Sequence, residues 1–262
     1  MSTAGVETAE PAKPKVPEVP WNTWLALVYA VLVFYAAQLI AGLLVSVYPV
    51  LRHWNSHQAG QWLNSSVGAQ FVFVLVAEAL TVGAVYLFLK KHRSRFSIIG
   101  LKRPTWTDPF YGLAAVPLYL LLYVLTVGVI SHLVPSLNVN QQQQIGFNDV
   151  NGTFQLVLAF ISLVVLPPIA EEIMMRGFIY TSLKKAMKIV PAALLTSVIF
   201  AAAHLPEGGS AGPLYIAALD TFVLSLVLVY LREKTGSLWA SITLHASKNF
   251  IAFVVLFLLH GH

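Results

Sequence analysis

Three short motifs carry the side chains most capable of chemistry: Glu171-Glu172-Ile173-Met174-Met175-Arg176, Phe200-Ala201-Ala202-Ala203-His204 and His245-Ala246-Ser247-Lys248-Asn249. Together they offer carboxylates, a guanidinium, imidazoles and a carboxamide. On a helix, residues four apart share a face, so Glu172 meets Arg176, Phe200 meets His204 and His245 meets Asn249. Pairing Glu172 with Arg176 lowers the cost of burying either charge. Glu171 projects about 100° away from that pair. Its carboxylate therefore turns towards different neighbours, where it can serve as a general base or acid. The alanines between Phe200 and His204 permit a close helix approach or leave room for a bound chain.

The elements that must hold these motifs are membrane helices. The chain has 262 residues, 57% of them hydrophobic and 10% charged, where a soluble domain carries roughly 25% charged residues. Mean hydropathy is +0.73, and the apolar residues come in long runs. A window of about 19 residues gives about seven spans: 24–48, 71–89, 111–134, 154–180, 191–205, 214–231 and 238–259, the fifth being short. The expected fold is an all-α polytopic membrane protein whose helices enclose an intramembrane cavity. Residues 1–20, rich in Ala, Pro, Glu and Lys, read as a flexible polar tail without the apolar core of a signal peptide, and 21–262 as one transmembrane domain.

Charge sets the orientation. Of the 16 basic residues, Lys13, Lys15, Lys90, Lys91, Arg93, Arg95, Lys102, Arg103, Lys184, Lys185, Lys188, Arg232 and Lys234 fall on one side if the N-terminus is cytoplasmic. Only Arg52 falls outside, while Arg176 and Lys248 lie within spans. This asymmetry predicts a multi-pass cell-membrane protein with its N-terminus inside, and it attributes the net charge of +5 to cytoplasmic loops, not to nucleic-acid binding. Trp21, Trp24, Trp106 and Trp239 flank spans and Trp54 and Trp62 sit in the first outer loop, as expected for indoles at the headgroup level. The Gln141–Gln144 run reads as a solvated outer loop.

Ionisable residues inside spans are functional candidates, because a charge near the bilayer centre costs from ~2.5 to above 10 kcal/mol. They are Glu78, Glu171, Glu172, Arg176, His204, Asp220, His245 and Lys248. At 1.5 Å per residue, Glu171 lies about 14 Å from Tyr180, His204 about 20 Å from Pro191 and His245 about 12 Å from Ser237, all at middle depth. Asp220 is expected to neutralise Lys248 or Arg176, and Glu78 has no evident partner.

The ordered set EExxxR, FxxxH and HxxxN on successive helices resembles the type II CAAX prenyl endopeptidases and their prokaryotic relatives, the CPBP intramembrane proteases, which include bacteriocin-processing and Abi-like members. The resemblance covers about residues 154–249, and Ile98-Ile99-Gly100-Leu101-Lys102-Arg103 is similar to what relatives carry before the third span. It implies an intramembrane endopeptidase acting on a lipidated or otherwise membrane-held peptide. Glu171 would activate the attacking water, His204 and His245 would help to hold it, Asn249 would stabilise the oxyanion and Glu172 with Arg176 would brace the site. Peptide hydrolysis needs a base for water and donors for the tetrahedral oxyanion, both strengthened in a dry cavity. Glu171, His204 and His245 also match the ligand count of a catalytic zinc, with Glu172 as base in that case. Both a glutamate and a metal mechanism stay open, with no tightly bound metal the favoured expectation. The compact loops and length look similar to a prokaryotic plasma-membrane member.

Other protease chemistries fail on absences. Cys is lacking, which removes thiolate metal sites and a cysteine nucleophile. No His precedes a Glu, so HExxH is missing. Asp220 is the lone Asp within a span, which removes a two-aspartate mechanism, and no Gly-x-Ser-x-Gly elbow occurs. The alternative from another class is a proton- or ion-coupled transporter using Glu78, Glu171 and Asp220 as a relay.

Overall fold

The computed structural model describes residues 19–141, 146–206 and 212–259. Most of the N-terminal tail and of the glutamine run therefore lies outside the described residues. The described chain is helical throughout, without strands: α1 (Thr23–Leu51), α2 (Ser56–Ser65), α3 (Val67–Lys91), α4 (Thr107–Ala114), α5 (Val116–Leu133), α6 (Thr153–Phe160), α7 (Leu166–Glu172), α8 (Tyr180–Ala186), α9 (Ile189–Ala203), α10 (Tyr215–Thr235) and α11 (Trp239–Phe253). Six continuous helical stretches among them are long and apolar enough to cross a membrane: Thr23–Leu51, Val67–Lys91, Thr107–Leu133, Thr153–Ala186, Tyr215–Thr235 and Trp239–Leu259. The fifth expected span, the short one, corresponds to α9, at 15 residues apolar but short of a full crossing. The protein is an all-α polytopic membrane protein.

Packing in this bundle follows residue size, because hydropathy is nearly uniform around the long helices α1, α3 and α5. Along α1 the buried residues include Ala26, Ala30, Ala37 and Ala41, the small side chains that let helices approach where apolar burial offers no net drive. The bulky ones point outwards, Leu25 at 68% and Leu32 at 63% exposure, a surface that suits acyl chains and would be an aggregation hazard in water. Asn22 caps α1 by accepting from the Trp24 and Leu25 amides.

The third span begins earlier than Tyr111, at Thr107, and is broken at Ala115 between α4 and α5. Gly112 lies where α4 meets α11. A Cβ there would come within 2.7 Å of the Ala240 carbonyl oxygen, so no larger residue fits this approach. The fourth span is longer than expected, Thr153–Ala186, and is interrupted by π-helical turns at Ile161–Val165 and Ile173–Ile179. Pro167 and Pro168 explain the first: neither has an N–H, so the carbonyls four residues before them, Leu163 and Val164, lose their helical donors.

The helix ends gather into two groups. At one end Lys184 Nζ lies 2.6 Å from Glu233 Oε1, the Leu238 amide donates to the Gly100 carbonyl at 3.0 Å, and Trp239 Nε1 donates to the Lys102 carbonyl at 2.7 Å. Gly100 has φ of 93° and faces the Arg232 guanidinium so closely that a Cβ would overlap it, so only glycine serves there. Lys185 Nζ donates to the carbonyls of Val19 and Trp21 at 3.0 and 2.7 Å. Trp21 flanks α1 as expected and is buried against other helices, with Nε1 donating to Ser182 Oγ at 2.8 Å and its indole meeting Phe88 and His92 as well. At the opposite end Gln70 Oε1 accepts from the Phe147 amide at 2.6 Å, and Gln141 Nε2 donates to the Pro213 carbonyl at 3.1 Å.

Candidate active site

Glu172 is held as its spacing predicts. Its Oε1 accepts from Arg176 Nη1 at 2.8 Å, and both side chains are 0% exposed. The same oxygen also meets His245 Nδ1 at 3.0 Å, a contact across 73 residues that no local spacing reveals. The Arg176 guanidinium lies 4.4 Å from the centre of the Phe200 ring, so a carboxylate and an aromatic face together replace its lost hydration. Phe200 packs edge-on against both imidazoles, with centroids 4.6 Å from His204 and 5.9 Å from His245.

These contacts assign the imidazole tautomers. A carboxylate that salt-bridges Arg176 can only accept, so His245 carries its hydrogen on Nδ1 and presents Nε2 as an acceptor. His204 Nδ1 lies 2.7 Å from the Phe200 carbonyl oxygen, which likewise can only accept. His204 therefore carries a hydrogen on Nδ1. His204 was expected within a helix and instead follows its last residue, Ala203, where the backbone turns away and a polar ring is tolerated.

Glu171 faces His245 from the neighbouring helix, with Oε2 3.8 Å from Nε2. Asn249 Nδ2 donates at 2.8 Å to the Leu163 carbonyl, the group deprived of its donor by Pro167. The second Nδ2 hydrogen is not needed for that bond. Glu171, His204, His245 and Asn249 line one cavity of about 330 Å³. Glu172 and Arg176 do not line it and lie buried behind His245.

The cavity wall also includes Glu78, Asp220 and Lys248. Of the two partners considered for Asp220, the structure selects Lys248, whose Nζ lies 3.1 Å from Asp220 Oδ2. Asp220 Oδ1 accepts from the Tyr119 hydroxyl, a partner that sequence reasoning missed because 101 residues separate the two. Apolar wall residues include Phe73, Phe147, Phe253 and Leu256. Among the described residues, no three His, Cys, Asp or Glu side chains gather closely enough to hold a metal ion. The zinc donor set Glu171, His204 and His245 is thus not assembled in this arrangement.

The helical bundle thus places a carboxylate, two imidazoles and an amide around one cavity. Residues 153–251 match the family model described as Type II CAAX prenyl endopeptidase Rce1-like, a match consistent with a CPBP family intramembrane protease. The matched segment contains all three motifs. No curated protein and no solved structure matches the chain.

Proposed function

We propose that the protein is an intramembrane endopeptidase that hydrolyses a peptide bond of a membrane-held substrate through a water activated by Glu171. The observation that carries this is the separation between Glu171 Oε2 and His245 Nε2, 3.8 Å. That is too long for a direct hydrogen bond and short enough for one water to bridge the two atoms. Both atoms accept, so the water donates one hydrogen to each and keeps its lone pairs for attack. His204 lines the same cavity from the end of α9.

As the water oxygen bonds to the carbonyl carbon, its proton passes to Glu171 and the carbonyl oxygen becomes an oxyanion. Asn249 donates to that oxyanion with the hydrogen not committed to Leu163. Collapse then breaks the C–N bond, and Glu171 returns its proton to the departing amine. Glu172 with Arg176 fixes the ring of His245 through Nδ1, a positioning role. The location this implies is a cell membrane with the N-terminus cytoplasmic. The substrate is a lipidated peptide or a small peptide of the bacteriocin kind.

The transporter alternative has less support. Asp220 is already engaged by Lys248 and Tyr119, and beyond Glu172 and Arg176, which are committed to each other, the residues C-terminal to Glu171 on its helix are mostly apolar core.

The test is hydrolysis by purified protein of a farnesylated CAAX peptide and of an unmodified peptide panel, with and without chelator. Wild type should cleave, and Glu171→Gln should lose about 10²- to 10⁴-fold in rate while eluting and unfolding like wild type. Full activity in Glu171→Gln removes Glu171 from the base role.

A further inference from the structure

The cavity has a direction. On the fourth span its wall is made by Ser162, Leu163, Pro167 and Glu171, and nothing beyond Glu171 contributes, although the helix continues to Ala186. On α3 the wall residues are Phe73, Val74, Ala77 and Glu78, in the half remote from Lys90 and Lys91. On α10 they start at Ala217 and stop at Leu224, remote from Arg232 and Lys234. On α11 they begin at His245 and run away from Trp239 to Leu256, beyond its C-terminus. The fourth span, α3 and α10 end at the basic connections and α11 begins there, yet all four place the wall in the same half of the bundle. Phe147, tied to Gln70 at the end opposite the basic connections, completes it.

The other half is closed by packing. Every residue from Ile173 to Leu183 is buried, and Leu89, Ile99, Phe178, Leu183 and Leu238 are all at most 1% exposed. This plug lies between the site and the end where Lys102, Lys184, Lys185 and Arg232 gather. By the bias of Lys and Arg towards cytoplasmic loops, that end is the cytoplasmic one.

We infer that the substrate enters from the non-cytoplasmic half of the bilayer, so that the scissile bond belongs to a membrane-held peptide presented from the outer face. This deepens the endopeptidase reading and rests on it for the word substrate. The wall from Ser162 to Glu171 rises about 14 Å at 1.5 Å per residue. An extended peptide advances about 3.3 Å per residue, so about four residues fit along this wall. Phe73, Phe147, Phe253 and Leu256 favour an uncharged segment there. A peptide anchored in the cytoplasmic leaflet would have to pass the plug to reach Glu171.

The absence of cysteine makes the test direct. Ala252→Cys and Ala217→Cys each place one thiol on the cavity wall, and Arg103→Cys places one at the basic end. Each variant is treated with a membrane-impermeant maleimide in intact cells and in inverted vesicles, with total thiol counted after denaturation. The expected result is that the wall thiols react at least about tenfold faster in intact cells, and the Arg103→Cys thiol at least about tenfold faster in inverted vesicles. Wall thiols that react from the same side as Arg103→Cys overturn the inference, and so do wall thiols that react from neither side yet react once denatured. Labelling needs no turnover. Expected labelling combined with an active Glu171→Gln would therefore sink the endopeptidase mechanism alone.

Discussion

Replacing Glu172 separates what holds the site together from what it does. One oxygen, Glu172 Oε1, accepts from Arg176 at 2.8 Å and from His245 Nδ1 at 3.0 Å. In Glu172→Leu the Arg176 cation stays buried without its anion, and breaking such a pair from one side costs about 3–5 kcal/mol. His245 also loses its acceptor, worth about 1–3 kcal/mol if nothing replaces it. The two losses overlap, since both act through one atom. For a chain of this size the ion-pair part alone lowers the midpoint of thermal unfolding by roughly 6–20 °C, at about 2–4 °C per kcal/mol. Adding Arg176→Met removes the stranded charge and should recover most of that part, because a buried pair replaced by apolar groups of similar volume is near neutral. Activity should not recover with it. The double variant still lacks the acceptor that fixes His245, and such outer partners are worth about 10- to 100-fold in function. The assay pairs thermal unfolding in detergent with peptide hydrolysis for wild type, Glu172→Leu and the double variant. A Glu172→Leu protein as stable as wild type, or a double variant with wild-type turnover, refutes the assigned role of Glu172.

Asn249→Leu leaves the Leu163 carbonyl without a donor, so stability should fall by about 1–3 kcal/mol, measured by denaturant unfolding, and hydrolysis should fall as well. Unchanged stability would show that Asn249 does not serve the proline-deprived carbonyl. Phe200→Leu keeps the volume roughly but removes the ring over Arg176, a contact worth about 0.5–2 kcal/mol. It should lower thermal stability by that amount and reduce turnover through both histidines. Equal loss in an Arg176→Met background would show that the ring does not act through the guanidinium.

Much of the fold was legible because a bilayer demands long apolar runs, and the runs were there. The short fifth span agreed with α9, and six of the eight residues flagged as too polar for lipid line one cavity, Glu172 and Arg176 lying buried outside it. What stayed hidden was non-local. Trp21 has Pro20 and Asn22 as neighbours in sequence, whereas its partners Ser182, Phe88 and Phe178 come from other helices. Tyr119 escaped notice for the same reason. A tyrosine within an apolar run signals nothing until Asp220 is placed against it.

The site itself was legible in its pairs and opaque in its crossings. Four-residue spacing identified Glu172 with Arg176, because that relation is internal to one helix. It could not show His245 on the far side of Glu172 Oε1, nor Asn249 reaching Leu163. Both crossings depend on irregular backbone. The π turns at Ile161–Val165 and Ile173–Ile179 flank the stretch that carries Glu171 and Glu172, and each extra residue in a turn rotates the downstream side chains relative to a regular helix. Pro167 and Pro168 are visible in the sequence and predict a break in the hydrogen-bond ladder, but only the packed bundle shows that α11 supplies the missing donor. Asn249 thereby ties the helix bearing the proposed base to the helix bearing His245, so the groups proposed to activate water and to meet the oxyanion are set by one backbone defect.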